Sequence, residues 1–140
     1  MSPGGRALRV VAIELDSVLG DTRPLWRDWL MDAERRLRLD GLELPDDRAA
    51  AAAELDARLG NWRQLLARFA EERAPVYLRP DGGVNAALRR LKAAGTRIEV
   101  VTDAPEELAR VALAQLGAAR YVDAIVPEAP KVVRSRADLP

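Results

Sequence analysis

The chain has 140 residues, of which 49% are hydrophobic, and its 22 basic and 22 acidic residues leave no formal net charge. That composition fits one compact domain with its own core, and the even charge balance argues against bulk attraction to nucleic acid or a membrane surface. Neither Cys nor His occurs, which removes disulfides, thiol catalysis and the commonest neutral-pH base, and leaves carboxylates, hydroxyls, Lys, Arg and backbone groups to carry any chemistry.

In chain order, Arg9 to Leu15 is an apolar, β-branched run of strand length, expected to be buried on both faces. A helix is predicted from Pro24, with Leu25, Trp26, Trp29, Leu30, Ala33 and Leu37 on one face. Residues 40–46 read as a linker. Asp46 or Asp47 can cap an alanine-rich second helix that ends near Leu59, before Gly60. Asn61 can cap a third, carrying Trp62, Leu65, Leu66 and Phe69. Residues 77–83 read as a loop into a helix whose buried stripe is Val84, Ala87, Leu88 and Leu91, and Gly95 stops it. Ile98–Val101 is a second strand. Asp103 and Glu106 have capping-box spacing around Pro105. The helix they open buries Leu108, Val111, Ala112 and Leu116 and stops at Gly117. Tyr121–Val126 reads as a third strand, and residues 127–140 as a loosely ordered tail.

Strands alternating with helices imply a parallel α/β sheet with right-handed crossovers. Ligands of such sheets bind at the carboxyl ends of the strands. Glu14 and Asp16 fall at the first of those ends, Thr102 and Asp103 at the second, and Lys131 just past the third. Lys131 stands out because Lys92 is the only other lysine in an arginine-rich chain. Plainer readings accompany each: a strand-end acid for Glu14, a turn cap for Asp16, a helix cap for Asp103, a solvated lysine for Lys131, and core packing for the three tryptophans. No apolar run reaches the roughly 20 residues of a membrane helix. The amino terminus has no signal-peptide core, so a cytoplasmic protein is expected.

The segment VVAIELDSVLGDT resembles the first motif of the haloacid dehalogenase-like (HAD) superfamily, an apolar strand followed by Asp-x-Asp-Gly-Thr/Val-Leu. The stretch from YLRPDGG through VVTDAPEE to YVDAIV is similar to that family's next segment. The resemblance runs to about residue 131. It implies a three-layer parallel-sheet, Rossmann-like core formed by residues 1–22 and 75–140, with a small helical cap, residues 23–74, inserted after the first strand. It places Glu14 at the nucleophile's position, Asp16 at the general acid/base, Thr102 at the phosphoryl-binding hydroxyl and Lys131 at the charge-neutralising lysine. Glu14 and Asp16 would be the carboxylates that meet a magnesium ion.

The departures point toward lost activity. Glu14 stands where the family has Asp, and the added methylene displaces the carboxylate by about 1 Å, enough to cost on the order of 10²-fold in rate. Ser17 replaces a glycine. The family's fourth motif, an acidic pair after a further strand, has no counterpart expected in the nine residues after Lys131; Asp138 is a poor substitute. The expectation is therefore a degenerate HAD-like hydrolase with weak or lost phosphohydrolase activity and an incomplete magnesium site. The alternatives are an active magnesium-dependent phosphatase on a small phosphorylated metabolite, or a non-catalytic module that binds a second copy or another protein through its cap.

Overall fold

The computed structural model describes residues 9–38 and 43–140; residues 40–42 of the expected linker lie outside that range. Four strands form one fully parallel sheet in the order β3-β2-β1-β4, from Val10–Glu14 (β1), Arg97–Val101 (β2), Ala124–Val126 (β3) and Val132–Val133 (β4). Five α-helices connect them: Arg23–Leu37 (α1), Arg48–Arg58 (α2), Trp62–Tyr77 (α3), Gly82–Ala93 (α4) and Glu106–Gln115 (α5). The architecture is the expected three-layer α/β fold. Among the described residues no helix is long and apolar enough to cross a membrane.

The sequence pattern explains most of this. The β1 run puts Ala12, Ile13 and Leu15 in the core, and β2 contributes Ile98 and Val100. Asp47 caps α2 by accepting from the Ala50 N–H, and Asp81 caps α4 by accepting from Val84, each at about the ideal distance. Gly95 and Gly117 take the left-handed conformation that ends a helix. Gly20 is required by closeness instead. A Cβ there would come within 2.9 Å of the Leu116 side chain, so the turn after β1 packs directly on the α5 end.

Five expectations are corrected. Asn61 stands at the start of α3 but makes no side-chain cap bond. The tail is ordered: Val132 and Val133 pair in parallel with Ala12 and Ile13, and a short 3₁₀ turn follows over Arg136–Asp138. Two β-branched residues suffice because β1 already offers them an open edge. The third strand is shorter than Tyr121–Val126, because Ala119–Tyr121 closes a 3₁₀ turn first. Asp103 and Glu106 do not form a capping box. Pro105 is the N-cap and makes no side-chain bond, because the Asp103 carboxylate is drawn away to Arg48. Finally, α3 runs through Pro75 to Tyr77; the proline sits in the last turn, where only one ladder bond is lost.

One contiguous core joins the sheet to all five helices. Trp26, Trp29 and Trp62 are 5%, 2% and 1% exposed, so they are packing residues. Their ring centroids lie 5.6 to 6.4 Å apart, each pair within stacking or edge-to-face range. The Trp62 indole N–H donates to Asp56 Oδ1 at 2.9 Å, joining α3 to α2, and α3 lies along α5. Trp62→Ala is expected to cost about 3–5 kcal/mol through lost burial and a residual cavity, read as a lowered urea midpoint at unchanged slope.

Candidate active site

β1 lies between β2 and β4, so the chain leaves it to one side and later returns on the other. This is the switch point at which parallel sheets open a crevice. A cleft of about 620 Å³ lies there, lined by Glu14 and Asp16 from the β1 end, Thr102 and Asp103 from the β2 end, Arg48 from α2, and Arg23, Trp26, Arg27 and Leu30 from α1. Glu14, Asp16 and Thr102 are thus brought together. Lys131 is not: it is exposed and does not line the cleft.

After Glu14 the chain makes a single π-turn over Leu15–Leu19, closed by Gly20 N–H to the Leu15 carbonyl at 3.0 Å. Leu15, Val18 and Leu19 go into the core, which leaves Asp16 facing the cleft. Asp16 Oδ1 accepts from both the backbone N–H of Thr22 (2.9 Å) and its hydroxyl (2.6 Å). Asp16 therefore organises the entry to α1, as the turn-cap reading expected. Its other oxygen, Oδ2, accepts from Arg48 Nη2.

Arg48 is the residue that sequence reasoning missed. Its side chain is 3% exposed, and each of its three nitrogens donates. Nη1 donates to Thr22 Oγ1 at 2.7 Å and Nε to Asp103 Oδ1 at 3.0 Å, while Nη2 also lies 2.9 Å from Asp103 Oδ1. Its backbone N–H donates to Asp103 Oδ2 at 3.0 Å. One guanidinium thus bridges the β1 turn and the β2 end. A signal existed: Arg48 is the first residue of α2, where a cation opposes the positive end of the helix dipole. A local violation of that kind is compensated by a tertiary partner.

Burial pushes the Asp103 carboxyl up, but the Arg48 backbone N–H, its charge and its side-chain bonds outweigh this and leave Asp103 below the ordinary carboxylate range. Asp21, just before α1, is also held low, chiefly by the Arg23 side chain. Thr102 accepts at Oγ1 from the Ala104 N–H at 3.0 Å and keeps its own hydroxyl proton to donate.

Glu14 meets a second arginine. The β4 register sets Val133 beside Ile13, so the next residue, Arg134, lies beside Glu14 and donates Nη1 to its Oε2 at 2.8 Å. Lys131 sits at the opposite end of β4. The short connection explains this. Segment 127–131 is far below the dozen or more residues of a full parallel crossover, so β4 joins β1 only near its carboxyl end. Arg136 then anchors the tail, donating to the Val18 carbonyl and to Asp81, both at 2.9 Å.

The comparisons with known proteins agree with the fold. The family model for haloacid dehalogenase-like hydrolase matches residues 15–138. The chain belongs to that family. The match extends through β4, beyond the residue 131 at which the sequence resemblance was expected to end, and it begins just after Glu14. No curated protein sequence matches the chain. Among solved structures, CbbY from Rhodobacter sphaeroides, crystallised with phosphate, is similar over 90% of this chain and 67% of its own, at 14% identity and a TM-score of 0.61. A HAD phosphatase from Thermococcus onnurineus is similar over 84% of this chain and 61% of its own, at 21% identity and a TM-score of 0.47. The chain therefore spans about two thirds or less of the length of these HAD proteins.

HAD phosphatases typically use Mg²⁺, and the residues present do not fit it. Asp16 has both oxygens engaged, Asp103 likewise, and Glu14 holds Arg134. Among the described residues no three carboxylates converge on a common point, whereas magnesium demands near-octahedral oxygen ligands. A further strand, β4, does follow Lys131, against expectation, and the residues after it are Arg134, Ser135 and Arg136.

Arg48→Ala is expected to lower stability by about 2–3 kcal/mol, because it strands two partly buried carboxylates, whereas Arg134→Ala, on an exposed pair, should cost under about 1 kcal/mol; denaturant titration of both separates them. The lowered Asp103 pKa gives a pH test. A folded-state value below the unfolded one stabilises above the unfolded value, near 4, and the gain is lost as pH falls through the folded value. The side chain is 41% exposed, so screening limits this to about 1 kcal/mol or less. Asp103→Asn should flatten that acid limb when urea midpoints are compared from neutral pH to below pH 4.

Proposed function

We propose that this HAD-family chain has weak or lost phosphohydrolase activity and acts by binding a small phosphorylated molecule in the cleft at the β1 end. The observation that carries the reading is the pairing of both candidate catalytic acids with arginines: Glu14 with Arg134 and Asp16 with Arg48. An acid/base must exchange a proton with the leaving group, and Asp16 has both oxygens bonded; Arg134 holds Glu14 by Oε2 alone, and its charge makes that carboxylate a weaker nucleophile. Glu14 is further handicapped by its extra methylene. The cleft itself persists, with the Thr102 hydroxyl and the Arg23 and Arg27 side chains along its wall, groups suited to an oxyanion. The phosphate in the CbbY complex, on a similar fold, agrees with such a ligand.

The test is hydrolysis of an aryl phosphate with magnesium by the wild type, Glu14→Asp and Asp16→Asn. Wild-type turnover is expected to match that of Asp16→Asn, and Glu14→Asp alone is expected to restore little, since Arg134 and Arg48 remain. Magnesium-dependent wild-type turnover abolished by Asp16→Asn would sink the proposal.

A further inference from the structure

We infer that Arg48 is a built-in counter-cation: its guanidinium takes up the carboxylates of Asp16 and Asp103 that would otherwise demand a divalent ion, so the folded site is indifferent to magnesium. The inference rests on the reading of the cleft as a HAD-type site with its acids paired, and it adds the identity of what holds those acids together.

Three observations carry it. The guanidinium is inside the protein, and its bonds run to the two strand ends at once. Two carboxylates brought this close repel unless a cation lies between them, and Arg48 is the cation that touches both. Further, the residues after β4 are basic: Arg134 meets Glu14 directly. Three of the four acids that line the cleft, Glu14, Asp16 and Asp103, thus have their charge countered by two side chains of this chain. A planar guanidinium with five N–H groups satisfies several carboxylate oxygens in fixed directions and cannot be deprotonated. It therefore supplies permanent positive charge without an exchangeable ion. Because Arg48 opens α2, the same bonds dock that helix on the sheet edge, and the helix cannot shift without exposing the acids.

The experiment uses the full chain labelled for NMR, with Mn²⁺ as a paramagnetic stand-in for Mg²⁺. The Arg48 Nε–H signal, assigned by its loss in Arg48→Lys, is expected to be present and slow to exchange. It and the amides of Asp16, Thr102 and Asp103 should be unbroadened by stoichiometric Mn²⁺ and unmoved by Mg²⁺ or EDTA. Selective broadening of those amides in the wild type overturns the inference, whatever the variants do. Arg48→Met removes the charge while retaining much of the apolar stem. If it gives a folded spectrum, it is expected to gain Mn²⁺ broadening at the same amides, and a folded Arg48→Met that stays unbroadened also overturns the inference. The two proposals fail separately: metal-free turnover would end the loss-of-activity reading and leave this one standing, whereas tight Mn²⁺ binding without turnover would do the reverse.

Discussion

The guanidinium of Arg48 lies inside the protein with two carboxylates and a hydroxyl around it, and the arrangement of the cleft depends on its staying there. Burying an ion costs several kcal/mol unless its donors are matched, and here Thr22, Asp16 and Asp103 match them. Among the described residues no buried side-chain nitrogen or oxygen is left without a partner. The consequence is geometric. The π-turn after β1, the start of α1, the start of α2 and the end of β2 are held to one point, although they are far apart in the chain. Each could be displaced alone only by leaving a charge unpaired in a partly dry cleft, so they move together or not at all.

The same constraint links the helical segment to the sheet. The tryptophans of α1 and α3 form its apolar half, α3 lies on α5, and Arg48 supplies the polar half at the cleft. Residues 23–74 therefore share a core with the strands as well as an ion pair. At the other side of β1, the short connection before β4 has a comparable effect. It limits β4 to two residues and delivers a basic turn to the carboxyl edge, where Arg134 reaches Glu14 and Arg136 reaches the Val18 carbonyl. Positive side chains thus approach the acids from both flanks, one buried and one exposed, and the cleft's acids face guanidinium groups on both sides.

Much of this was legible in the residues. The strands β1 and β2, the helices, the cap at Asp47 and the glycine stops follow from local pattern, because each depends on near neighbours in sequence. The convergence of Glu14, Asp16 and Thr102 was legible too, since a parallel sheet sends successive strand ends to one edge. The failures share a cause. Asp103 has the spacing of a helix cap, yet a residue 55 positions away in sequence claims its carboxylate. Lys131 was singled out by rarity, but the pairing register of β4 decides which cation reaches β1, and it selects Arg134. Val132 and Val133 looked like tail because two residues carry no periodicity; their strand character comes from the edge that β1 offers.

The sequence by itself thus determined the fold class, the family resemblance and the chemical types available: acids, a threonine and many arginines, with no histidine or cysteine. Only the tertiary structure decided how those groups are paired. Pattern and propensity are local, acting over a turn or a strand, whereas an ion pair forms wherever the fold brings opposite charges within a few ångströms. The partners of Asp16, Asp103 and Glu14 come from α2 and from beyond β4, and no spacing rule along the chain reports that distance.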